Sequence, residues 1–445
     1  MKSAFLIAAP HSESGKTTVA RGLMALYRKH GYVVQPFKCG PDYIDTKFHE
    51  RVCGRPSVNL DSFFASEEHL RELFARYSEG ADIAIVEGMM GLFDGYDRDS
   101  GSSYEIACIL GLPVILVVDA RSAAYSMAAL LSGFINFRRD IHFAGVIYNK
   151  VRSERHFQML RQVCEDLQVP CLGYLPKAAE LEQGSRYLGL DFSLPLPCTL
   201  PSQEGALSHE RIFEEYIDWR TIVDNSVYMT EASRNVIHAS SCEGRVQGRG
   251  RILVARNSES FSFLYQETLD RLSSLGPVEF FDPEKEHCPL TIINCQLMYF
   301  PGGYPEKHLE VLVRNEACRK AIRDFAESGG HIIAECGGMM YLCESIVTDD
   351  GEYPMCSILP YKISARKADR RLSLGYRQFT LDGKEYRGHE FHYTQFLGKV
   401  PPSMIQVFDA KGRPVPTPVL QYKNVLASYT HLYYFDAVID SFWGE

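Results

Sequence analysis

The feature that most constrains the fold is an alternation that runs through the sequence twice. Short apolar runs rich in β-branched residues alternate with segments in which apolar residues recur at helical spacing. Because parallel strands are joined by crossover helices, this alternation predicts a parallel sheet with helices on both faces. The pattern occupies residues 1–191 and resumes at Arg251, after a proline-rich and then polar stretch. We therefore expect two doubly wound α/β domains.

A chain of 445 residues is long enough for two domains with full cores. We predict a first domain at 1–200, a connector at 201–250 with one helix over 209–222, and a second domain at 251–445. The last third of the second domain alternates in the manner of antiparallel strands. The predicted strands are 4–9, 32–37, 82–86, 113–118, 144–148, 170–173, 252–255, 278–281, 291–300 and 331–334, and the main predicted helices are 17–30, 261–275 and 315–328.

Composition argues against several classes of protein. Lys and Arg number 47 against 56 Asp and Glu, and this net charge of -9 disfavours nucleic acid or an anionic membrane as a partner. The longest apolar stretch, 106–118, is shorter than the ~20 residues that cross a bilayer. The first residues lack a secretory signal pattern and the 13 cysteines include no C-x-x-C pair, so we expect reduced thiols in the cytoplasm. The oligomeric state stays open, with a homodimer as one expectation.

A candidate phosphate site lies where the first predicted strand ends. Residues 9–18 read A-P-H-S-E-S-G-K-T-T and lead into a helix, whose first N–H groups and dipole favour an anion. Gly15 lets the backbone approach phosphate, Lys16 can reach the terminal phosphates, and the Thr17 hydroxyl can bind Mg²⁺. The usual first glycine is replaced by Pro10, so the loop must turn through a different conformation. We predict a P-loop for ATP, with binding residues Ser14, Gly15, Lys16, Thr17 and Thr18.

Acidic residues that can complete a Mg²⁺ site follow two other predicted strands. Glu87 ends a hydrophobic strand, where doubly wound sheets keep their ligand crevice. Asp42 and Asp45 lie three apart in the loop G-P-D-Y-I-D, and either can serve as a second carboxylate. A plainer interpretation is that Glu87 caps a turn and the aspartates are solvated turn residues. We predict Thr17, Glu87 and one of the two aspartates as metal ligands.

A second candidate site surrounds Cys336. The segment H-I-I-A-E-C-G-G-M-M-Y-L places this cysteine after an apolar strand and before a Gly-Gly pair that opens a helix. This is the arrangement of a nucleophile elbow, in which small neighbours permit a strained turn. We expect an exposed thiol whose pKa is lowered by the helix N-terminus. Gly302 and Gly303 end another strand, and their N–H groups are candidates for an oxyanion hole.

A thiol nucleophile needs a base, and three downstream histidines are candidates. His431 follows an apolar strand and is the one we favour, whereas His389 and His392 are as well placed to line a substrate surface. Enzymes of this kind often carry an acid two residues after the histidine, but here Tyr433 holds that position. Glu390 or a backbone carbonyl is the alternative partner for the imidazole.

The motifs run in one order along nearly the whole chain: A-A-P-H-S-E-S-G-K-T-T, K-C-G-P-D-Y-I-D, V-E-G-M-M-G-L-F-D-G, F-P-G-G-Y-P-E, A-E-C-G-G-M-M-Y-L, G-H-E-F-H-Y and A-S-Y-T-H-L. Together they resemble the cobyrinic acid a,c-diamide synthase family. The segment S-R-Y-L-G-L at 185–190 also resembles the end of the family's first domain. The first half is similar to dethiobiotin synthetase, with a P-loop NTPase-like sheet, and the second to triad-type (class I) glutamine amidotransferases.

The resemblance implies a ligase that uses ATP, Mg²⁺ and L-glutamine to amidate the a and c acetate groups of cobyrinic acid in cobalamin synthesis. ATP would phosphorylate the carboxylate, and ammonia released from glutamine at Cys336 would attack the acyl phosphate, with His431 as proton carrier. The resemblance also implies substrate contacts from Lys38, Tyr43 and Asp94. It implies a purine contact from Asn149, which is otherwise a turn-forming residue at a strand end.

Two other functions stay open from the sequence. The first is the same chemistry on another tetrapyrrole, hydrogenobyrinic acid or nickel sirohydrochlorin, which only pocket residues would separate. The second is a nucleotide-switched binding protein with a vestigial amidotransferase fold, and this function gives Cys336 and His431 no reason to meet.

Overall fold

A computed structural model describes residues 1–177, 209–228, 250–285, 292 and 294–433. The chain divides into two compact units, Met1–Ala239 and Ser240–Glu445. The segment S-R-Y-L-G-L and most of the predicted connector lie outside the described residues. Among the described helices, none is both long enough and apolar enough to cross a membrane.

The first unit alternates strands and helices as the sequence predicts. Its described strands are β1 (Ser3–Ala8), β2 (Val34–Cys39), β3 (Val58–Leu60), β4 (Ile83–Glu87), β5 (Val114–Asp119), β6 (Phe143–Val151) and β7 (Cys171–Pro176). Its described helices are α1 (Lys16–Lys29), α2 (Asp45–Cys53), α3 (Glu67–Ser78), α4 (Ser103–Leu110), α5 (Met127–Phe137), α6 (Glu154–Asp166), α7 (His209–Tyr216) and α8 (Trp219–Asn225).

These strands form one sheet in the order β3-β2-β4-β1-β5-β6-β7, and each pair of neighbours is parallel. The predicted doubly wound parallel sheet is therefore confirmed. The register aligns the strand ends that carry the predicted site, because Ile7 of β1 and Lys38 of β2 both lie opposite Glu87 of β4. Carboxyl ends of parallel strands meet at one sheet edge, so the loops after β1, β2 and β4 converge there.

The segment predicted as a connector helix over 209–222 is two helices instead. They break at Ile217, and the Asp218 carboxylate caps α8 by accepting a hydrogen bond from the Thr221 backbone N–H at 3.2 Å. Both helices add buried side chains to the core of the first unit, and the ring of Phe213 lies against Gly22 of α1. The apolar residues of this segment are therefore part of the first domain's core.

The second unit contains a mixed central sheet and two smaller sheets. Its described strands are β8 (Arg251–Ala255), β9 (Val278–Phe281), β10 (Cys295–Phe300), β11 (His331–Glu335), β12 (Cys343–Val347), β13 (Glu352–Pro354), β14 (Leu359–Ser364), β15 (Ser373–Leu381), β16 (Lys384–His392), β17 (Gln395–Phe396), β18 (Val407–Asp409), β19 (Pro414–Val415), β20 (Val419–Tyr422), β21 (Val425–Ser428) and β22 (His431–Tyr433). Its described α-helices are α9 (Gln266–Leu275), α10 (Leu309–Arg314), α11 (Glu316–Glu327) and α12 (Gly337–Leu342).

The central sheet has the order β20-β21-β11-β10-β8-β9, and only β20 pairs antiparallel with its neighbour. The smaller sheets have the orders β13-β12-β14-β17 and β19-β18-β15-β16-β22. The antiparallel character predicted for the last third is confirmed in the long β15–β16 pair. The helix predicted over 261–275 begins only at Gln266, because the backbone N–H groups of Ser262 and Phe263 bond the Gly302 carbonyl, at 2.8 and 2.9 Å.

Two candidate active sites

The loop after β1 has the backbone conformation that its glycine predicts. Gly15 has a φ of 99°, and a Cβ at this position would lie 2.1 Å from Nδ2 of Asn149. The Asn149 amide donates a hydrogen bond to the carbonyl of Ser14 at 2.9 Å, so it anchors the loop to the end of β6. Asn149 thus has a contact that the sequence did not suggest, and its purine contact stays a prediction.

Lys16 and Thr17 begin α1 and point into the carboxyl edge of the sheet. The Lys16 ammonium donates to the carbonyls of Met90 and His11, the latter at 3.4 Å, so it spans the loops after β4 and β1. Burial, and then the neighbouring Lys38, lower the pKa of Lys16 to about 8. The Thr17 hydroxyl donates to Oε1 of Glu87 at 2.6 Å.

A buried cluster of charges surrounds Glu87, which has no exposed surface. The Lys38 ammonium lies 2.9 Å from Oε1 of Glu87 and 3.0 Å from Oδ2 of Asp45. Burial and Asp45 raise the pKa of Glu87, yet Lys38 and His49 outweigh them and hold it at about 2. Burial opposes the charge on Lys38 as well, but the carboxylates raise its pKa above the ordinary value. Lys38 and Glu87 are therefore both ionised at neutral pH.

The two aspartates of the loop after β2 have different roles. Asp45 is 1% exposed and its carboxylate belongs to the Glu87 cluster. Asp42 accepts hydrogen bonds at Oδ1 from the backbone N–H groups of Ile44 and Asp45, both at 2.8 Å, and its Oδ2 lies 4.0 Å from Lys38. Asp42 therefore stabilises the turn that precedes α2, and Asp45 is the better candidate for a metal ligand.

The donor set beside the P-loop fits Mg²⁺ in its chemistry. Thr17, Asp45 and Glu87 supply a hydroxyl and two carboxylates, the oxygen ligands that this ion prefers. In the part of the chain that the structure describes, no group of three or more His, Cys, Asp or Glu side chains is spaced to hold a metal. Two carboxylates suffice for Mg²⁺ where water and nucleotide phosphate complete its coordination.

The remaining residues expected to contact substrate lie around this cluster. Lys38 is 4% exposed and pairs with Glu87 and Asp45, so its contact with a ligand stays a prediction. Tyr43 is buried, and Asp94 accepts a hydrogen bond from the Gly91 N–H at 2.9 Å, which shapes the glycine-rich loop after β4. A cavity of about 420 Å³ lies beside the P-loop and is lined by His11, Asp119, Arg121 and Ser122.

In the second unit, Cys336 adopts the strained turn of a nucleophile elbow. Its φ of 44° and ψ of -107° lie outside the ordinary regions for a residue with a side chain, and its N–H donates to the Ser428 carbonyl at 2.8 Å. A Cβ on Gly337 would lie 2.6 Å from the carbonyl oxygen of Gly303, and one on Gly338 would lie 2.3 Å from that of Phe300. The two glycines after Cys336 are therefore required by close backbone packing.

The expectation of an exposed thiol with a lowered pKa is wrong. Cys336 is 3% exposed, and burial, followed by the charge of Glu306, raises the pKa of its thiol. A hydrogen bond from the Gly337 N–H opposes this shift but is the weaker effect. A thiol in such surroundings is protonated at neutral pH, so it needs a nearby proton acceptor to react.

His431 is fully buried and lies against Gly302, and the next residue, Gly303, packs against Gly337, which follows Cys336. A Cβ on Gly302 would lie 2.1 Å from Cε1 of His431. Among the described residues no hydrogen bond joins the Cys336 thiol to this imidazole, and catalytic hydrogen bonds are often long before substrate binds. Burial, and then His389 opposite it on β16, lower the pKa of His431 to about 3. The imidazole is therefore neutral and able to accept a proton.

Glu390, considered above as a partner for this histidine, has other partners. Its carboxylate accepts hydrogen bonds from Arg377 at 2.5 Å, Thr417 at 2.6 Å and His392 at 2.7 Å. His392 in turn stacks on Tyr429, with ring centroids 3.6 Å apart. These contacts engage both carboxylate oxygens of Glu390, so Glu390 is not the group that orients His431.

Comparison with known proteins assigns a domain family to each of the two units. Residues 5–188 match the CobQ/CobB/MinD/ParA nucleotide binding domain, and residues 251–438 match the CobB/CobQ-like glutamine amidotransferase domain. A cobyrinate a,c-diamide synthase from Caldanaerobacter subterraneus subsp. tengcongensis is 37% identical, over 96% of this chain and 94% of that protein. The chain belongs to the cobyrinate/hydrogenobyrinate a,c-diamide synthase family.

Other members of this a,c-diamide synthase family are similarly close. A cobyrinate a,c-diamide synthase from Salmonella typhimurium is 35% identical, over 97% of this chain and 95% of that protein. A hydrogenobyrinate a,c-diamide synthase from Rhizobium meliloti is 36% identical, over 96% of this chain and 98% of that protein. Membership of this synthase family makes the chain an enzyme with a nucleotide-binding and a glutamine amidotransferase domain, and excludes the vestigial binding protein.

Sequence reasoning missed one member of the first site, His49. Its ring is fully buried in α2, with Nε2 2.7 Å from Oε2 of Glu87 and Nδ1 3.1 Å from the Ser57 hydroxyl. If Ser57 donates to Nδ1, the Nε2 proton is directed at the carboxylate. His49 thus fixes Oε2 of Glu87, while Oε1 faces Thr17 and Lys38. Position 49 follows the D-Y-I-D motif by one helical turn, which is the only signal in the sequence.

We predict that His49→Leu destabilises the first unit by about 1.5–3 kcal/mol at pH 7, because a buried carboxylate loses a charge-assisted hydrogen bond. Urea unfolding followed by circular dichroism measures the change. His49→Gln, which keeps a donor, should recover part of the loss. His142→Leu changes an exposed histidine of the same unit and should have little effect. Equal destabilisation by His49→Leu and His142→Leu would contradict the role assigned to the hydrogen bond.

Proposed function

We propose that this protein is a cobyrinate a,c-diamide synthase, which amidates the a and c acetate carboxylates of cobyrinic acid at the expense of ATP and glutamine. The observation that carries the proposal is the presence, in one chain, of the Thr17–Glu87 cluster behind a P-loop and of the Cys336 elbow, whose preceding residue Glu335 lies 3.9 Å from Nδ1 of His431. Full-length similarity to synthases of this name supports the substrate. Cytoplasmic location and a homodimer remain predictions.

The first unit supplies the activation step. A carboxylate is a poor electrophile, and transfer of the γ-phosphoryl group of ATP converts it into an acyl phosphate that ammonia can attack. The loop N–H groups around Gly15 and the Lys16 ammonium would stabilise charge on the phosphoryl oxygens. Mg²⁺ held by Thr17, Asp45 and Glu87 would neutralise charge on the nucleotide phosphates. The cavity between His11 and Asp119 is a candidate for the rest of the nucleotide.

The second unit supplies nitrogen. Cys336 attacks the side-chain amide of glutamine, and its proton passes to His431 and then to the departing ammonia, which leaves a glutamyl thioester that water hydrolyses. The N–H groups of Gly302 and Gly303 would stabilise the oxyanion of the tetrahedral intermediate. The imidazole is neutral and can therefore accept the thiol proton, and the thiolate and imidazolium that the transfer creates would stabilise each other against the cost of burial.

A finer question is whether the substrate ring contains cobalt, as in cobyrinic acid, or lacks it, as in hydrogenobyrinic acid. Relatives named for cobyrinate and for hydrogenobyrinate are 37% and 36% identical to this chain, so overall similarity favours neither. Both substrates present neighbouring acetates on a large anionic macrocycle, and pocket contacts would discriminate between them.

Steady-state turnover with purified tetrapyrrole acids tests the proposed substrate. We expect two equivalents of ATP and glutamine to be consumed per cobyrinic acid, and oxygen-18 in its a and c carboxylates to pass into inorganic phosphate. Hydrogenobyrinic acid and nickel sirohydrochlorin serve as comparison substrates. Lys16→Ala should abolish this amidation while glutaminase activity remains. Phosphate without the isotope label would contradict an acyl phosphate.

Cys336→Ala tests the division of labour between the two units. We expect it to lose glutamine-dependent amidation and to keep amidation when ammonia is supplied at raised pH, since the variant lacks only the thiol that releases nitrogen. Product formation with each nitrogen source measures this. Cys356→Ala removes another buried cysteine of the same unit and should retain activity with glutamine. A folded Cys336→Ala protein that is inactive with ammonia would contradict the proposal.

The pKa of Lys16 predicts proton uptake when nucleotide binds. Near pH 8 about half of the Lys16 side chains are neutral amines. The phosphates of bound ATP would raise the pKa of Lys16, so ATP binding should take up a fraction of a proton. Below about pH 7 Lys16 is already charged, and the uptake should vanish. Calorimetry of ATP binding in buffers of different ionisation enthalpy measures it. Lys16→Arg, which stays protonated, should show no such uptake, and equal uptake in both proteins would exclude Lys16 as its source.

A further inference from the structure

The geometry points to Glu335, the residue immediately before the nucleophile, as the group that orients the catalytic imidazole of His431. This inference rests on the proposed roles of Cys336 and His431 in glutamine hydrolysis. Position 433, where an orienting acid is expected from sequence, is a tyrosine, and the other candidate, Glu390, is engaged with Arg377, Thr417 and His392. An imidazole that relays a proton needs a partner that fixes its tautomer and orientation.

Glu335 is held in place from two sides. It ends β11 and is 3% exposed. Its Oε2 accepts a hydrogen bond from the Tyr299 hydroxyl at 2.7 Å, and its Oε1 accepts one from the backbone N–H of Leu432 at 3.0 Å. These two bonds, from β10 and β22, fix the plane of the carboxyl group.

The carboxyl group held in this way reaches the histidine. Oε2 of Glu335 lies 3.9 Å from Nδ1 of His431, within ion-pair distance. The bond to Leu432 also attaches Glu335 to the backbone immediately after His431, so one side chain lies beside the ring and bonds the strand that carries it. With Nδ1 directed at Glu335, Nε2 is the nitrogen that takes the thiol proton.

The chemistry of the pair suits a transient charge. Burial raises the pKa of Glu335 to about 8 and lowers that of His431 to about 3, so isolated charge is disfavoured on each group. When His431 takes the proton of Cys336, a thiolate and an imidazolium form, and the imidazolium lies next to the Glu335 carboxyl group, whose oxygen stabilises the new positive charge and whose pKa that charge lowers. Glu335 is thus a positioning residue that acts through His431 and does not touch glutamine.

Glu335→Gln tests this role with little change of shape. The glutamine carbonyl can still accept from Leu432, but its NH₂ group then faces Nδ1 of His431. That group makes Nδ1 an acceptor and places the ring proton on Nε2, the wrong tautomer for a base. We expect kcat for glutamate release to fall on the order of 10²- to 10⁴-fold, with KM for glutamine within about threefold. Amidation driven by supplied ammonia should be unchanged.

Labelling of Cys336 provides a second measurement. A diazoketone analogue of glutamine should alkylate Cys336 to one equivalent in both proteins, with the rate reduced in Glu335→Gln by a factor similar to that in kcat. Full labelling at the slower rate shows that the variant is folded and binds the analogue. Tyr299→Phe, which leaves the carboxyl group in place, should reduce kcat by less than about tenfold. Glu327→Gln changes an exposed glutamate of the same unit and should behave as wild type.

The results separate this inference from the proposed function. Three results for Glu335→Gln would overturn the assignment of Glu335 alone. They are a glutaminase kcat equal to that of the wild type, a rise in KM for glutamine as large as the fall in kcat, and a failure of the analogue to label the variant at all. A wild-type protein that releases no glutamate from glutamine would overturn the proposed function and this assignment with it.

Discussion

The charge of Glu87 is the constraint on which the first site depends. A carboxylate without exposed surface is costly unless other groups compensate it, and three elements of the first unit provide that compensation. Thr17 from α1 and Lys38 from β2 bond one oxygen, and His49 from α2 bonds the other. The requirement to satisfy this carboxylate therefore fixes the start of α1, the end of β2 and the register of α2 at one edge of the sheet.

The second site also buries titratable groups, but it keeps them neutral, whereas the first site compensates their charge. Burial shifts the pKa values of Cys336, His431 and Glu335 in the direction that favours the neutral form of each group. The first site therefore contains fixed charges beside the proposed phosphate site, whereas the thiol, imidazole and carboxyl groups proposed to act in the second site are neutral. Close backbone contact at Gly302 and Gly303 gives the second site its shape, because no side chain fits between these strand ends and the groups they meet.

The sequence predicted those parts of the molecule that depend on neighbours along the chain. The strand–loop–helix around Gly15 and the elbow at Cys336 are local, and both are present in the structure. β3 was missed because three residues show no period, and a capping aspartate at 218 divided the predicted connector helix. The choice between Asp42 and Asp45 required the turn geometry, because Asp42 accepts hydrogen bonds from the backbone at the start of α2, whereas the Asp45 carboxylate pairs with Lys38.

Contacts that join distant segments were beyond the sequence. Glu335 meets Leu432, and His49 meets Glu87, only because the strands are ordered as they are. The wrong expectation for the Cys336 thiol has the same origin, since burial depends on the whole domain and outweighs the local effect of a helix end. Local sequence thus predicts a candidate nucleophile, whereas the pKa of its thiol depends on groups that the topology brings to it. We propose that the buried thiol, the neutral imidazole and the neighbouring carboxyl group act only as a set, because burial disfavours isolated charge on each of them.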